Sequence, residues 1–163
     1  MGPRTTVEKT LGILALLSML VGSYVGLVVV PADAAQGDVQ RLMYVHVPAA
    51  WLAFMAFLIV FVMSVLYLIQ RDARWDRVAA SSAEIGVVFT VVTLLLGMMW
   101  GKPTWGVFWT WDPRLTTTAI LLAIYVGYGA LRSFADDEEK RARWSAIVGV
   151  IGFAAPSNKD KQA

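Results

Sequence analysis

Four stretches of low charge, each near the roughly 20 residues needed to cross a hydrocarbon core, leave this chain few ways to fold. Residues 11–30 and 49–69 carry no charge at all, and 83–100 has only Glu84, at its edge. Residues 116–131 form a fourth run, somewhat short unless Leu115 and the boundary residues join it. A fifth run, 144–155, starts in the same way but stops after roughly a dozen residues, too few to cross. Pro156 then opens the polar tail SNKDKQA. The expected fold is all-α: a polytopic helical membrane bundle of four clear spans and a partial fifth, forming one domain over residues 1–155.

Composition agrees and removes several functions. Hydrophobic residues make up 58% of the 163-residue chain, against roughly 45–50% in soluble domains. A formal net charge of +2 is too small to suggest nucleic acid, and the basic residues sit in particular loops rather than in a stripe. The absence of cysteine excludes disulfides, CxxC redox chemistry, iron–sulfur ligation and thioether attachment of haem to this chain. A single histidine excludes a multi-histidine metal cage.

Arg4 and Lys9, an apolar run and Ala32-Asp33-Ala34 resemble a cleavable signal peptide, but the run exceeds the usual ~7–15-residue h-region and further spans follow, so a retained span is expected. Lys and Arg concentrate at the N-terminus (Arg4, Lys9), after the second run (Arg71, Arg74, Arg77) and after the fourth (Arg132, Lys140, Arg141, Arg143). The positive-inside rule makes these cytoplasmic and turns loops 31–48 and 101–115 outward. Ser18, Gly22 and Gly26 form a small-residue stripe on the first span, and Gly97 and Gly101 repeat the spacing on the third; both suit close helix contacts. The mixed charges Asp136 to Arg143 read as a solvated helix surface or turn.

Residues 100–116, WGKPTWGVFWTWDPRLT, place Trp100, Trp105, Trp109 and Trp111 beside Asp112 and Arg114. Tryptophan is large, apolar and carries one N–H, which suits a membrane–water boundary. Trp51, Trp75 and Trp144 each flank a span singly and belong to such an aromatic belt. Four in one loop make a surface able to take a flat amphipathic ligand such as a porphyrin, with Lys102 or Arg114 meeting its carboxylates; a belt reading stays open for these as well. The spacing of Trp105 and Trp109 puts them on one face of any helical turn. Gly101, Pro103, Gly106 and Pro113 argue against one continuous helix, so a short interfacial helix or folded loop is expected. Asp112 and Arg114 either contact the ligand or pair with each other and shape the loop.

His46 lies just before the second apolar run, in MYVHVPAAW, on the same predicted side as the tryptophans. A neutral imidazole there is either an axial ligand for haem iron or an interfacial histidine bonded to water and headgroups. No phosphate-binding loop and no nucleophile with a histidine partner is present, so no catalytic residues are assigned. The methionines within the spans read as packing residues.

The segments WGKPTWGVFWTWDPRLT and MYVHVPAAW, in that relation, resemble the haem exporter protein C (cytochrome c maturation protein C) family of tryptophan-rich haem-handling membrane proteins, over about residues 40–131. The resemblance implies a six-helix bundle with both termini cytoplasmic in the bacterial inner membrane. It implies haem presented at the periplasmic face to a periplasmic haem chaperone, alongside ATP-binding cassette transporter subunits and a small membrane subunit. His46 then matches an axial ligand of the haem iron, and Trp100, Trp105, Trp109, Trp111 and Asp112 match the platform. The family also has two further spans and a second axial histidine, which this chain lacks, so C-terminal truncation is the expectation. Five-coordinate haem and a second ligand from another protein are the alternatives. The function expected is non-enzymatic haem transfer for cytochrome c biogenesis. A haem lyase subunit and a haem-free membrane assembly subunit are the rivals.

Overall fold

A computed structural model describes residues 5–154; Arg4 and the tail 156–163 lie outside them. The described residues are helical, with no β-strand beyond an isolated bridge between Asp33 and Gly37. The helices are α1 (Thr6–Tyr24), α2 (Met43–Gln70), α3 (Ala73–Trp105), α4 (Pro113–Phe134) and α5 (Glu138–Ala154). Four helical segments, Thr6–Val29, Asp38–Gln70, Ala73–Trp105 and Pro113–Phe134, are long and apolar enough to cross a membrane. The all-α polytopic bundle expected from hydropathy is therefore what forms. The 17-residue α5 is not among the spans.

The chain divides into two compact units, residues 1–45 and 46–163. In the first, α1 opens with a capping box: the Glu8 N–H donates to the Thr5 hydroxyl at 3.3 Å, and the Thr5 N–H donates to the Glu8 carboxylate at 2.9 Å. A π-helical turn, Val25–Val29, and a 3-10 turn, Asp38–Leu42, follow. Arg41 ties them together, donating to the Leu27 carbonyl and pairing with Asp38 at 3.1 Å. Of the small-residue stripe on the first span, Gly26, in the π-helical turn, lies against the Tyr44 ring, whereas nothing approaches within 4 Å of the position a Cβ would take at Gly22.

In the second unit, α2 and α3 form a helical hairpin around Arg71 and Asp72. Arg71 adopts a left-handed conformation (φ 58°) that turns the chain, and Asp72 caps α3 by accepting the Arg74 N–H at 2.9 Å. Of the basic residues after the second run, Arg74 and Arg77 thus ride on the first turns of α3, while Arg71 forms the turn before it. Phe57, Val60, Ala79, Ala83, Leu121, Tyr125 and Tyr128 form the main core, where the Phe57 and Tyr125 rings stack at 3.8 Å. Gly86 makes that possible, because a Cβ there would collide with Phe57. Without a hydrophobic force between helices in lipid, such small-residue contacts let backbones approach and dispersion act. A second cluster joins Tyr67, Ala142 and Ala146, with Trp75 packed against it and its indole N–H donating to Gln70 at 3.0 Å.

One ion pair locks the start of α3 to the end of α4. Arg132 grips Asp76 bidentately at 2.6 and 2.9 Å, with Asp76 only 7% exposed. The pairing did not stand out in the sequence, because two residues separated by 56 positions have no local pattern. Removing one partner leaves a buried charge uncompensated. Asp76→Ala is therefore expected to cost about 3–5 kcal/mol in denaturant unfolding from detergent micelles, and Asp76→Leu with Arg132→Leu far less. Equal losses in the single and double variants would show that the pair, as a pair, carries no such weight.

Candidate ligand-binding site

A cavity of about 270 Å³ opens between α2, α3 and α4. From α2 it takes His46, Ala50, Ala53, Phe54 and Phe57, which recur three and four residues apart and so share a helix face. Thr90, Thr93 and Leu94 of α3 and Arg114, Leu115, Thr118 and Leu121 of α4 complete it. The wall is more apolar than these names suggest. Thr90 donates its hydroxyl to the Gly86 carbonyl at 2.7 Å, Thr93 to Phe89 at 2.8 Å and Thr118 to Arg114 at 2.7 Å. Each threonine thus satisfies its hydroxyl on its own helix. What remains polar is one imidazole and one guanidinium.

His46 belongs to α2 itself, one turn in from Met43, rather than to a loop preceding it. Its Nδ1 is buried without a hydrogen-bond partner. The ring lies over Gly97 of α3: a Cβ at that position would sit 3.2 Å from Cε1 and 3.7 Å from Nδ1. Arg114, in the first turn of α4, keeps its side chain 85% exposed and only 3.7 Å from Asp112 at its nearest nitrogen.

The tryptophan-rich segment takes a different form from a four-ring platform. Helix α3 continues through Gly101 and Pro103 to Trp105, and Gly106 ends it in the left-handed region (φ 79°). Trp105 folds back over Gly101, where a Cβ would come within 3.1 Å of its ring, and meets Trp100 edge-to-face at 5.2 Å. Trp109 lies beyond the helix, so it shares no helical face with Trp105; it meets Trp111 edge-to-face at 5.6 Å. Trp111 is 82% exposed, whereas the Trp109 indole N–H is buried and unpartnered. None of the four lines the cavity. Lys102, the other candidate cation, donates to the Gly106 carbonyl at 2.8 Å and covers the Phe108 ring. Of the two cations proposed from sequence, Arg114 is the one at the cavity.

Asp112 is the N-cap of α4, with Pro113 following at the first helical position. One carboxylate oxygen accepts the N–H groups of Arg114 at 2.8 Å and Leu115 at 3.2 Å; the other accepts the Thr110 hydroxyl at 2.8 Å. The cavity's threonines, Gly97 and the Asp112 cap were not assigned these tasks from sequence. The three- and four-residue spacing of the lining positions on each helix is the signal that carries the cavity face.

The Thr110 hydroxyl, then the Leu115 and Arg114 amides, hold the Asp112 carboxyl below its ordinary value of 3.8. A carboxyl depressed in the folded state contributes stability that is full above the unfolded value and lost as pH falls through the folded one. Amide exchange at Arg114 and Leu115, corrected for intrinsic rates, should show constant protection above about pH 4 and falling protection in more acid solution. Asp112→Ala should remove that protection at every pH, and Asp112→Asn should retain the cap without the acid transition. Full protection in Asp112→Ala would remove the cap's role.

A family model described as heme exporter protein C matches residues 4–156. Heme exporter protein C of Escherichia coli K12 is 37% identical over 142 residues, 87% of this chain and 58% of that protein. The protein of that name from Bradyrhizobium diazoefficiens is 38% identical over 122 residues, 75% of this chain and 46% of its own length. A ccmC-like mitochondrial protein of cytochrome c biosynthesis from Marchantia polymorpha is 41% identical over 114 residues, 70% of this chain and 50% of that one. The chain spans about half the length of the curated relatives it matches. With the match running through α1 to α5, and so across both His46 and the tryptophan-rich segment, the chain belongs to the haem exporter protein C family.

Proposed function

We propose that this chain binds haem at the periplasmic face of a bacterial inner membrane and hands it to a periplasmic haem chaperone for cytochrome c biogenesis. ATP-binding cassette transporter subunits and a small membrane subunit assist it. The observation that carries the reading is the pairing of His46 and Arg114 on one otherwise apolar cavity. Haem is a flat apolar body with a metal that takes an imidazole and acidic side chains that take a guanidinium. The cavity offers one of each. The names of the relatives, heme exporter protein C, support the same ligand.

The cavity lies at the low end of the ~300–1,000 Å³ of ligand pockets, so it receives part of a macrocycle rather than enclosing it. Trp111 and Trp105, with exposed faces at the same end of the bundle as Arg114, supply stacking surface outside it. A ligand held this way, with one iron ligand and an exposed cation, is released more readily than one sealed in a core. That suits transfer, and no side chain in the site is arranged to make or break a covalent bond to haem. The concentration of Lys and Arg at the opposite loops supports the outward orientation.

The test is the visible spectrum of the purified protein from haem-supplied cells, compared with His46→Ala and Arg114→Ala. A Soret band is expected in the parent and lost in His46→Ala. Arg114→Ala should weaken haem affinity by about 10- to 100-fold, the worth of one hydrogen bond to a charged group. A Soret band of equal intensity in His46→Ala, or none in the parent protein, would overturn the assignment.

A further inference from the structure

His46 is the only imidazole in the chain, and the surface on which it rests is built to a definite shape. Opposite it, α3 presents Gly97, whose missing side chain admits the ring. The edge that meets Gly97 is the one bearing Cε1 and Nδ1; no other atom of His46 comes within 4 Å of the position a Cβ would occupy. Thr93 stands one turn earlier on α3, and its backbone also interacts with the imidazole, at a geometry short of a full hydrogen bond. In a helix the carbonyl of Thr93 is the one that receives the N–H of Gly97. A carbonyl oxygen has a second lone pair, and a side chain at position 97 would shield it. With none there, the oxygen is left open to a donor on His46.

We infer that Gly97 is a positioning residue: it lets the Nδ1 edge of His46 seat against the Thr93 backbone, which keeps the proton on Nδ1 and leaves Nε2 bare as the iron-binding atom. The physical reason is the two-sided nature of imidazole. In its neutral form one nitrogen donates and the other accepts, and a carbonyl beside one nitrogen selects which. A histidine that ligates a metal characteristically gives its other N–H to a carbonyl or carboxylate, which fixes ring orientation and raises ligand basicity. Here the carbonyl comes from α3, and only a glycine lets α3 come close enough. This assignment of roles rests on the reading of His46 as a haem ligand, but the tautomer it requires exists without haem.

A single histidine makes the test direct. This chain, labelled with 15N-histidine in detergent or nanodiscs, gives the nitrogen signals of one imidazole, recorded at about pH 8, above the ordinary imidazole range. The expected result is protonated Nδ1 and bare Nε2 in the parent. In Gly97→Ala the added Cβ crowds Cε1, so the population moves toward the Nε2–H tautomer. Haem affinity should fall by about 10- to 100-fold in the same variant, the usual cost of disturbing a ligand's supporting shell. An Nε2–H tautomer in the parent overturns the inference outright, with no variant needed. Identical spectra for the parent and Gly97→Ala overturn the role of Gly97. A tautomer shift in Gly97→Ala in a protein that takes up no haem would sustain the positioning role and sink the haem assignment instead.

Discussion

The second unit depends on how closely α2 and α3 approach, and glycine sets that distance at two places. Phe57 lies over Gly86 and His46 over Gly97. The two α2 residues are eleven apart, as are the two α3 residues, so the antiparallel helices keep one register over about three turns. The upper notch receives the imidazole and the lower one the phenyl ring that stacks on Tyr125. Between them Ala50 and Ala53 of α2 and Thr90 and Thr93 of α3 line the cavity with small side chains, beside Phe54 and Leu94. The small side chains cannot fill the space that the two ring contacts hold open. The cavity is the consequence of a register in which both ends are filled and the middle is not.

Polar groups in this setting are costly unless paired, and charged and hydroxyl groups of the unit show two ways of meeting that cost. Asp76 and Arg132 neutralise each other at one end of the bundle, far from the ligand cavity along α3 and α4. Threonine hydroxyls turn back to carbonyls on their own helices. Beyond those threonines, the polar side chains at the cavity are the imidazole of His46 and the largely exposed guanidinium of Arg114.

Hydropathy made the existence and number of the spanning helices legible, because long uncharged runs have few alternatives. Their ends were less so. The apolar run that suggests a start at Ala49 sits inside a helix that begins at Met43, with Pro48 within it; a helix's hydrogen bonding does not stop where the hydrocarbon does. Gly101, Pro103 and Gly106 look alike as breakers, yet only Gly106 takes the left-handed conformation that ends α3. Gly101 instead makes room for Trp105, a distinction that depends on a tertiary contact. His46 was legible as a lone imidazole near aromatic residues. Which cation accompanies it was not, because Lys102 and Arg114 differ only in what the folded loop does with them.

That loop explains why a tryptophan-rich segment matters even though its rings stay out of the cavity. Trp105 closes over Gly101, Gly106 turns the chain, and Asp112 with Pro113 starts α4 at a fixed residue. Arg114 is the next position, so the cap decides where the guanidinium emerges. The local pair of Asp112 and Arg114 forms, at 3.7 Å, but the carboxylate is held more closely by Thr110 and two backbone amides at 2.8–3.2 Å. The arginine side chain, in a long ion pair with the cap, stays 85% exposed. The loop thus places one charge at the cavity, in addition to the stacking surface proposed for Trp105 and Trp111.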